Sequence, residues 1–541
     1  MRNISADARL GGLWERVQHY ARGFGRTLPE IRFFVLDPLE FASLLEKNVY
    51  PVSPVNIWEG RNMVSKRHRI ETGQESALYY EVVQCGNPSY AYLNNTNSDM
   101  TQASVMAHVV GHCEFSELNV LCDSKPNRSE YVMHLVRKAN MGRTQMGDLH
   151  STEYWNACES IVPLISPNSQ YNLANSVDSD LEMPLREKVQ EPAREAEPKR
   201  AQPYSSTLQA LFKPTQEESA FRRELKQKIK KETLSRRGYR LKAPCQDVMG
   251  FLRSYAPASF GERAILNYLY TVHAPQDFIM RTQIMNEGWA MYWEKKIMLE
   301  LFKEKAVTGI IDYARVFSGV CYPRPFFARN PYHLGYHLWC EVEKLYSEGK
   351  VTLEYIEEKD RLVKESWNRP GQRQPIEAMT HLVRTITDYE FLRRFLTPEL
   401  VQKFHLNRVD KRTAKALGIK PSDVIREDNQ HVWIDPKPVL PQMLDFFAHF
   451  NRPCVFVVDT DFNDGGLLLL HRYDGRKLKK KWIEPTLRNV NLIWKAPVYL
   501  VSENHLFQYA AGAYKDVEID ELDFEQVAER IRKDEKPFKT H

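Results

Sequence analysis

The stretch "MAHVVGHCEFSEL", Met106 to Leu118, holds two histidines four residues apart. On a helix, His108 and His112 share one face, one turn from each other. A pair of this kind supplies half of a zinc site. The hydrolytic form of the motif is His-Glu-x-x-His, in which the glutamate is the general base. Here the second position is Val109, so a site on this helix lacks its base at the usual place. The flanking "SVMAHVVGH" is otherwise apolar and predicts a buried helix, where each imidazole must be hydrogen-bonded or coordinated. Metal ligation and a hydrogen-bonded pair at a domain interface are the two readings. Gly111 inside the helix costs about 1 kcal/mol relative to Ala, which predicts a close neighbour at that point.

A metal held by two histidines needs a third protein ligand, with water in the open position. Glu287, in "IMNEGWAMYWEKKIM", is the best candidate. It lies in an apolar helical run beside Trp289, Tyr292 and Trp293, where a carboxylate must be paired, protonated or coordinated. A salt bridge to a buried Arg or Lys is its alternative. The "EGWAMYWE" stretch resembles the third-ligand helix of some zincin-type metallopeptidases, in which a Glu precedes Gly-Trp-Ala. Its distance in sequence from the histidines is far longer here. The cofactor expected is a divalent metal, zinc being the first choice. Two carboxylates are candidates for the missing base. Glu114 follows His112 by two residues and needs a bend after Gly111 to face the metal. Glu294 lies two turns beyond Glu287 on the same helix face. Asn286 and His273 are candidates to hold a ligand in orientation, His273 also as an alternative ligand. A second pair, His333 and His337 in "NPYHLGYHLW", sits among aromatic residues that point to packing. The chain has no P-loop, no dinucleotide fingerprint and no G-x-S-x-G elbow.

The elements that must position these residues predict an α+β protein. The 541 residues are too many for one ordinary core. Residues 1–165 read as a mixed α/β domain. "LGGLWERVQHYARGFG" has helical spacing and a glycine stop, "EIRFFVLD" and "ALYYEVVQC" read as strands, and Ser98 or Asp99 caps the histidine helix. Residues 166–246 read as a polar, proline-punctuated linker or insertion with a basic run at 221–242. That run suits a solvated helix face or an anionic partner. Residues 247–406 read as a helical domain and 407–541 as a small C-terminal α/β domain. A net charge of +5 is small for this length and does not announce a nucleic-acid binder. The eight cysteines form no C-x-x-C pair and suit reduced thiols. The start lacks an apolar secretion core, and no stretch nears the roughly 20 apolar residues of a membrane span. A soluble cytoplasmic protein is expected.

The segments "ARGFG…P-IRF", "NPSYAYL", "VMAHVVGH-x-x-F", "MNEGWAMYW", "NPYHLGYHLW" and "DYEFLRRFLTPELVQKF" occur in this order. Together they resemble the SpoVR family, the stage V sporulation protein R proteins of bacteria, over nearly the whole chain. The resemblance implies a cytoplasmic bacterial protein linked to formation of the spore cortex. In bacteria that make no spores it implies a stress-response setting beside a PrkA-type serine kinase and a von Willebrand-like partner protein. It implies no particular reaction. The family pattern after the second histidine is Ser/Asn-Asp-Phe-Phe, whereas this chain has Cys113-Glu114-Phe115-Ser116. His333 and His337 are features of this chain, and its insertion before Lys242 is longer than usual. Two functions follow as expectations: a metal-dependent hydrolase, or a non-catalytic regulatory protein working with the kinase.

Overall fold

The computed structural model describes residues 2–37, 40, 81–122, 128–166, 241–370, 374–463, 465–520, 522–533 and 535. The polar linker and nearly all of the basic run at 221–242 lie outside the described residues. The described residues show a mixed α/β N-terminal region, a largely helical central region and a small β-rich C-terminal region. They fall into two compact units: Met1–His134 with Pro275–Phe450, and Leu135–Ala274 with Asn451–His541. The expected divisions at 247 and 407 run differently. The helical stretch divides at Pro275, and the second unit takes up the chain again at Asn451.

The first helix of the first unit, α1 (Ala8–Gly23), is capped by the Asp7 carboxylate on the amides of Arg9 and Leu10. A four-stranded sheet follows, with order β1 (Arg2–Asn3), β2 (Ile31–Leu36), β4 (Ser89–Asn94), β3 (Glu81–Gln84). Strands β2 and β4 are parallel with Phe33 opposite Ala91, and both residues are buried. Helix α2 (Asp99–Leu118) leaves β4 through a turn in which the Ser98 hydroxyl accepts the Thr101 amide. This is the cap expected from the sequence. Nearly every residue of α2 from Gln102 to Ser116 is buried, as an all-round apolar helix requires.

Helix α3 (Gln276–Lys303) packs along α2 on one side and α4 (Pro331–Ser347) on another. Glycines make both approaches close. A methyl group at Gly111 would stand 2.5 Å from the Ala290 Cα, and one at Gly288 would stand 2.2 Å from the Gly335 backbone. Trp289, Trp293 and Trp339 fill the space around these contacts edge to face. The turn of α3 before Asn286 is held from outside. Asp388 accepts the amides of Ile284 and Met285 at 2.8 and 2.9 Å, and the Trp339 indole donates to the Met285 carbonyl at 3.0 Å. A three-stranded sheet of order β5 (Arg408–Asp410), β7 (His431–Ile434), β6 (Val424–Glu427) also belongs to this unit.

The second unit is built on a five-stranded sheet. Its order is β12 (Ala513–Glu518), β11 (His505–Ala510), β10 (Val498–Ser502), β9 (Gly466–His471), β8 (Val455–Phe462). Only the β9–β10 pair is parallel, and the helix Lys480–Trp494 supplies its crossover. The helices Val248–Tyr255 and Phe260–His273 join this unit, and Cys245 bridges to Val457. The buried Asp247 carboxylate ties the Ser166 amide to the Tyr270 hydroxyl.

Candidate metal centre

Helices α2 and α3 run antiparallel past each other, so that His108 meets Glu294 while His112 meets Asn286 and Glu287. The ligand atoms of His108, His112 and Glu287 all lie within 4.8 Å of one another. The Glu287 Oε2 is 3.3 Å from His112 Nε2 and 3.7 Å from His108 Nε2. Ligands bonded to a tetrahedral zinc at about 2.0–2.2 Å stand roughly 3.3 Å apart. The spacing is therefore that of a three-ligand site.

The other ring nitrogens fix what the Nε2 atoms offer. His108 Nδ1 is 2.9 Å from Glu294 Oε2, and a carboxylate only accepts, so Nδ1 carries the proton. His112 Nδ1 is 2.9 Å from Asn286 Oδ1, with the same consequence. In the neutral rings both Nε2 lone pairs then face the Glu287 oxygen. Three lone-pair donors pointed at one another repel unless a cation or a proton lies between them. Among the described residues, that Glu287 Oε2 is buried with no hydrogen-bond partner, which is the gap a metal fills. Burial opposes ionisation of Glu287, yet when a proton rather than a metal sits on each Nε2 the charged His112 and His108 imidazoles hold its carboxyl well below the usual carboxylate range. The Glu287 side chain is 18% exposed, against 8% for His108, although the Oε2 atom that faces the imidazoles is itself buried.

Each residue expected at the site has a definite place. Asn286 orients His112. Glu294 does the same for His108, and its second oxygen accepts the Ser104 hydroxyl at 2.6 Å. Both of its carboxylate oxygens are thus engaged, one by His108 and one by Ser104. Glu114 stays turned away, because α2 continues without a bend through Gly111. Its carboxylate takes the Thr27 amide at 2.9 Å, the Trp289 indole at 3.0 Å and the Arg26 guanidinium at 3.3 Å. Burial pushes the Glu114 carboxyl up, and Arg26 pulls against that. His273 ends a helix of the second unit and is not part of the ligand cluster. His333 has a backbone carbonyl at each ring nitrogen, Cys321 at 2.8 Å and Phe404 at 2.9 Å, and His337 stacks on Phe404. Sequence reasoning passed over Ser104, Arg26 and Tyr332, whose ring lies 6.1 Å from that of His108. Ser104 lies one helical turn before His108, on the face the two histidines share, and that spacing could have found it; no spacing rule joins Arg26 or Tyr332 to the histidines.

A family model described as SpoVR like protein matches residues 16–433, a span that includes both histidines and Glu287. The "Uncharacterized protein YcgB" of Escherichia coli (strain K12) is 25% identical over 371 residues, covering 65% of this chain and 65% of that relative. The match thus spans less than two thirds of the length of the curated relative. No solved structure matches the chain.

Proposed function

The chain belongs to the SpoVR family, and from that premise we propose that it is a metal-dependent hydrolase of an amide or peptide bond in a cell-wall-related substrate. The setting is the cytoplasmic side of spore-cortex formation or a stress response. No helix among the described residues is long and apolar enough to cross a membrane. The observation that carries the reading is the buried Glu287 oxygen, without a hydrogen bond, facing two imidazole nitrogens at 3.3 and 3.7 Å. His108, His112 and Glu287 would hold a divalent cation, zinc being the ion that suits this donor set. Such a cation supplies Lewis acidity toward a carbonyl and toward water. Glu294 and Asn286 accept the Nδ1–H protons, fix the tautomers and aim both Nε2 atoms inward. Ser104 keeps Glu294 from turning away.

The second reading is a regulatory protein acting with a PrkA-type serine kinase and a von Willebrand-like partner. One observation favours it: Val109 stands where the base belongs, and Glu114 and Glu294 are both engaged elsewhere. The test uses the chain and its Glu287→Gln variant in a strain lacking the gene, with cortex or stress resistance as the readout. Purified protein is assayed in parallel on peptidoglycan fragments for release of new amines. The hydrolase reading expects amine release from the wild type and none from the variant, together with failure of the variant to complement. Complementation by a variant that holds no metal would leave the regulatory reading standing.

A further inference from the structure

We infer that Arg26, Glu114 and Trp289 form a clamp on the back of the helix pair that sets the distance between His112 and Glu287. The inference rests on the metal-site reading and concerns residues which that reading leaves unused. Glu114 and Trp289 each follow a ligand by two residues, Glu114 after His112 and Trp289 after Glu287. At roughly 100° per residue, two positions carry a side chain to the opposite side of its helix. The ligands therefore meet on one side of the α2–α3 pair, and the Trp289 indole reaches the Glu114 carboxylate on the other, at 3.0 Å. Gly111 and Ala290 lie between the two sides by the same count, and there the backbones touch. This is a lever. The glycine contact is the pivot, the ligands are one arm and the Glu114–Trp289 bond is the other. Rocking about the pivot opens one side as it closes the other.

Arg26 locks the far arm. Its side chain is 4% exposed and that of Glu114 is 1% exposed, so both charges have left water. The guanidinium lies 4.1 Å over the Trp293 ring and 5.7 Å from that of Trp289, and its Nε donates to the Phe24 carbonyl. The Thr27 amide fills another site on Glu114. A buried ion pair contributes little net stability when compared with apolar packing, and removing one partner strands the other. What this pair does supply is direction. It holds the carboxylate where it accepts the Trp289 indole N–H. Arg26, Glu114 and Trp289 are positioning residues, since none of them reaches the ligand cluster.

The test titrates cobalt(II) and zinc(II) into full-length protein, with affinity taken from chelator competition. The cobalt absorption spectrum reads ligand geometry, and thermal melting reads the fold. Trp289→Phe keeps an aromatic ring and deletes the indole donor. It should weaken both metals about tenfold or more and change the cobalt spectrum while the protein still melts cooperatively. Arg26→Met should weaken metal binding at least as much. Adding Glu114→Gln to Arg26→Met removes the stranded charge but leaves an oxygen for Trp289, and should restore part of the affinity and the spectrum. Wild-type affinity and spectrum in Trp289→Phe and in Arg26→Met would overturn the clamp while leaving the site intact. A wild type that binds neither metal, indistinguishable from His112→Ala, would overturn the site reading and the clamp with it.

Discussion

At the scale of single residues, Glu287 carries the charge that the two imidazoles face. Replacing it by Gln keeps the shape and removes the charge. The expected result is much weaker metal binding with most of the thermal stability intact, measured by chelator competition and by melting. Trp289→Ala should in addition cost about 3–5 kcal/mol of stability by opening a cavity, as urea unfolding would read. Similar losses of stability in the two variants would make Glu287 a member of a buried ion pair instead. Glu294→Gln loses the charged acceptor behind His108 and should lower zinc affinity roughly 10–100-fold, as for other partners of metal-bound histidine. Unchanged zinc affinity would remove Glu294 from the site. The histidines and Glu287 were legible because buried polar groups in apolar runs demand partners. The roles of Glu114 and Glu294 were not, since sequence spacing shows which face a carboxylate occupies and says nothing of what waits there. For Glu114 that was an arginine 88 positions earlier.

At the scale of elements, the site is the contact line of two helices, and its precision comes from backbone approach. Gly111→Ala should gain about 1 kcal/mol of helix propensity and lose more to overpacking, typically 1–3 kcal/mol. Its new methyl meets backbone rather than a side chain that can swing away. Net destabilisation together with weaker metal binding is expected, and a variant more stable than the wild type would refute the close contact. The Asp388 bond to α3 predicts a pH dependence. Burial pushes this carboxyl up to about 8, against the pull of the Ile284 and Met285 amides. The folded state then holds the proton more tightly than the unfolded chain, whose carboxyl titrates near 3.9. The resulting stabilisation is complete below about pH 4 and is lost as pH rises toward about 8, on the order of several kcal/mol in all. Urea midpoints should fall between pH 6 and pH 8.5, and Asp388→Asn should flatten that slope. Equal slopes would exclude Asp388 as the cause. The cap at Ser98 and the tight packing at Gly111 could be read locally. The pairing of α2 with α3 could not, because His112 and Asn286 are 174 positions apart and no local pattern records that distance.

At the scale of the whole molecule, the fold class was legible and the division into units was not. Helical periodicity runs from Phe260 through Lys303 with only a short break at Ala274 and Pro275, so it gives no sign that the two sides of the break join different units. The β5–β7 sheet falls inside the expected C-terminal domain at 407–541 yet belongs to the first unit. All three proposed ligands and both of their holders, Glu294 and Asn286, lie in that first unit, which is assembled from two distant stretches of chain. The metal count of the purified chain tests the central claim most directly. Protein loaded with zinc and dialysed against metal-free buffer should retain close to one zinc per chain by elemental analysis, and Glu287→Gln should retain far less. A folded wild type that retains no divalent metal after loading would contradict the account.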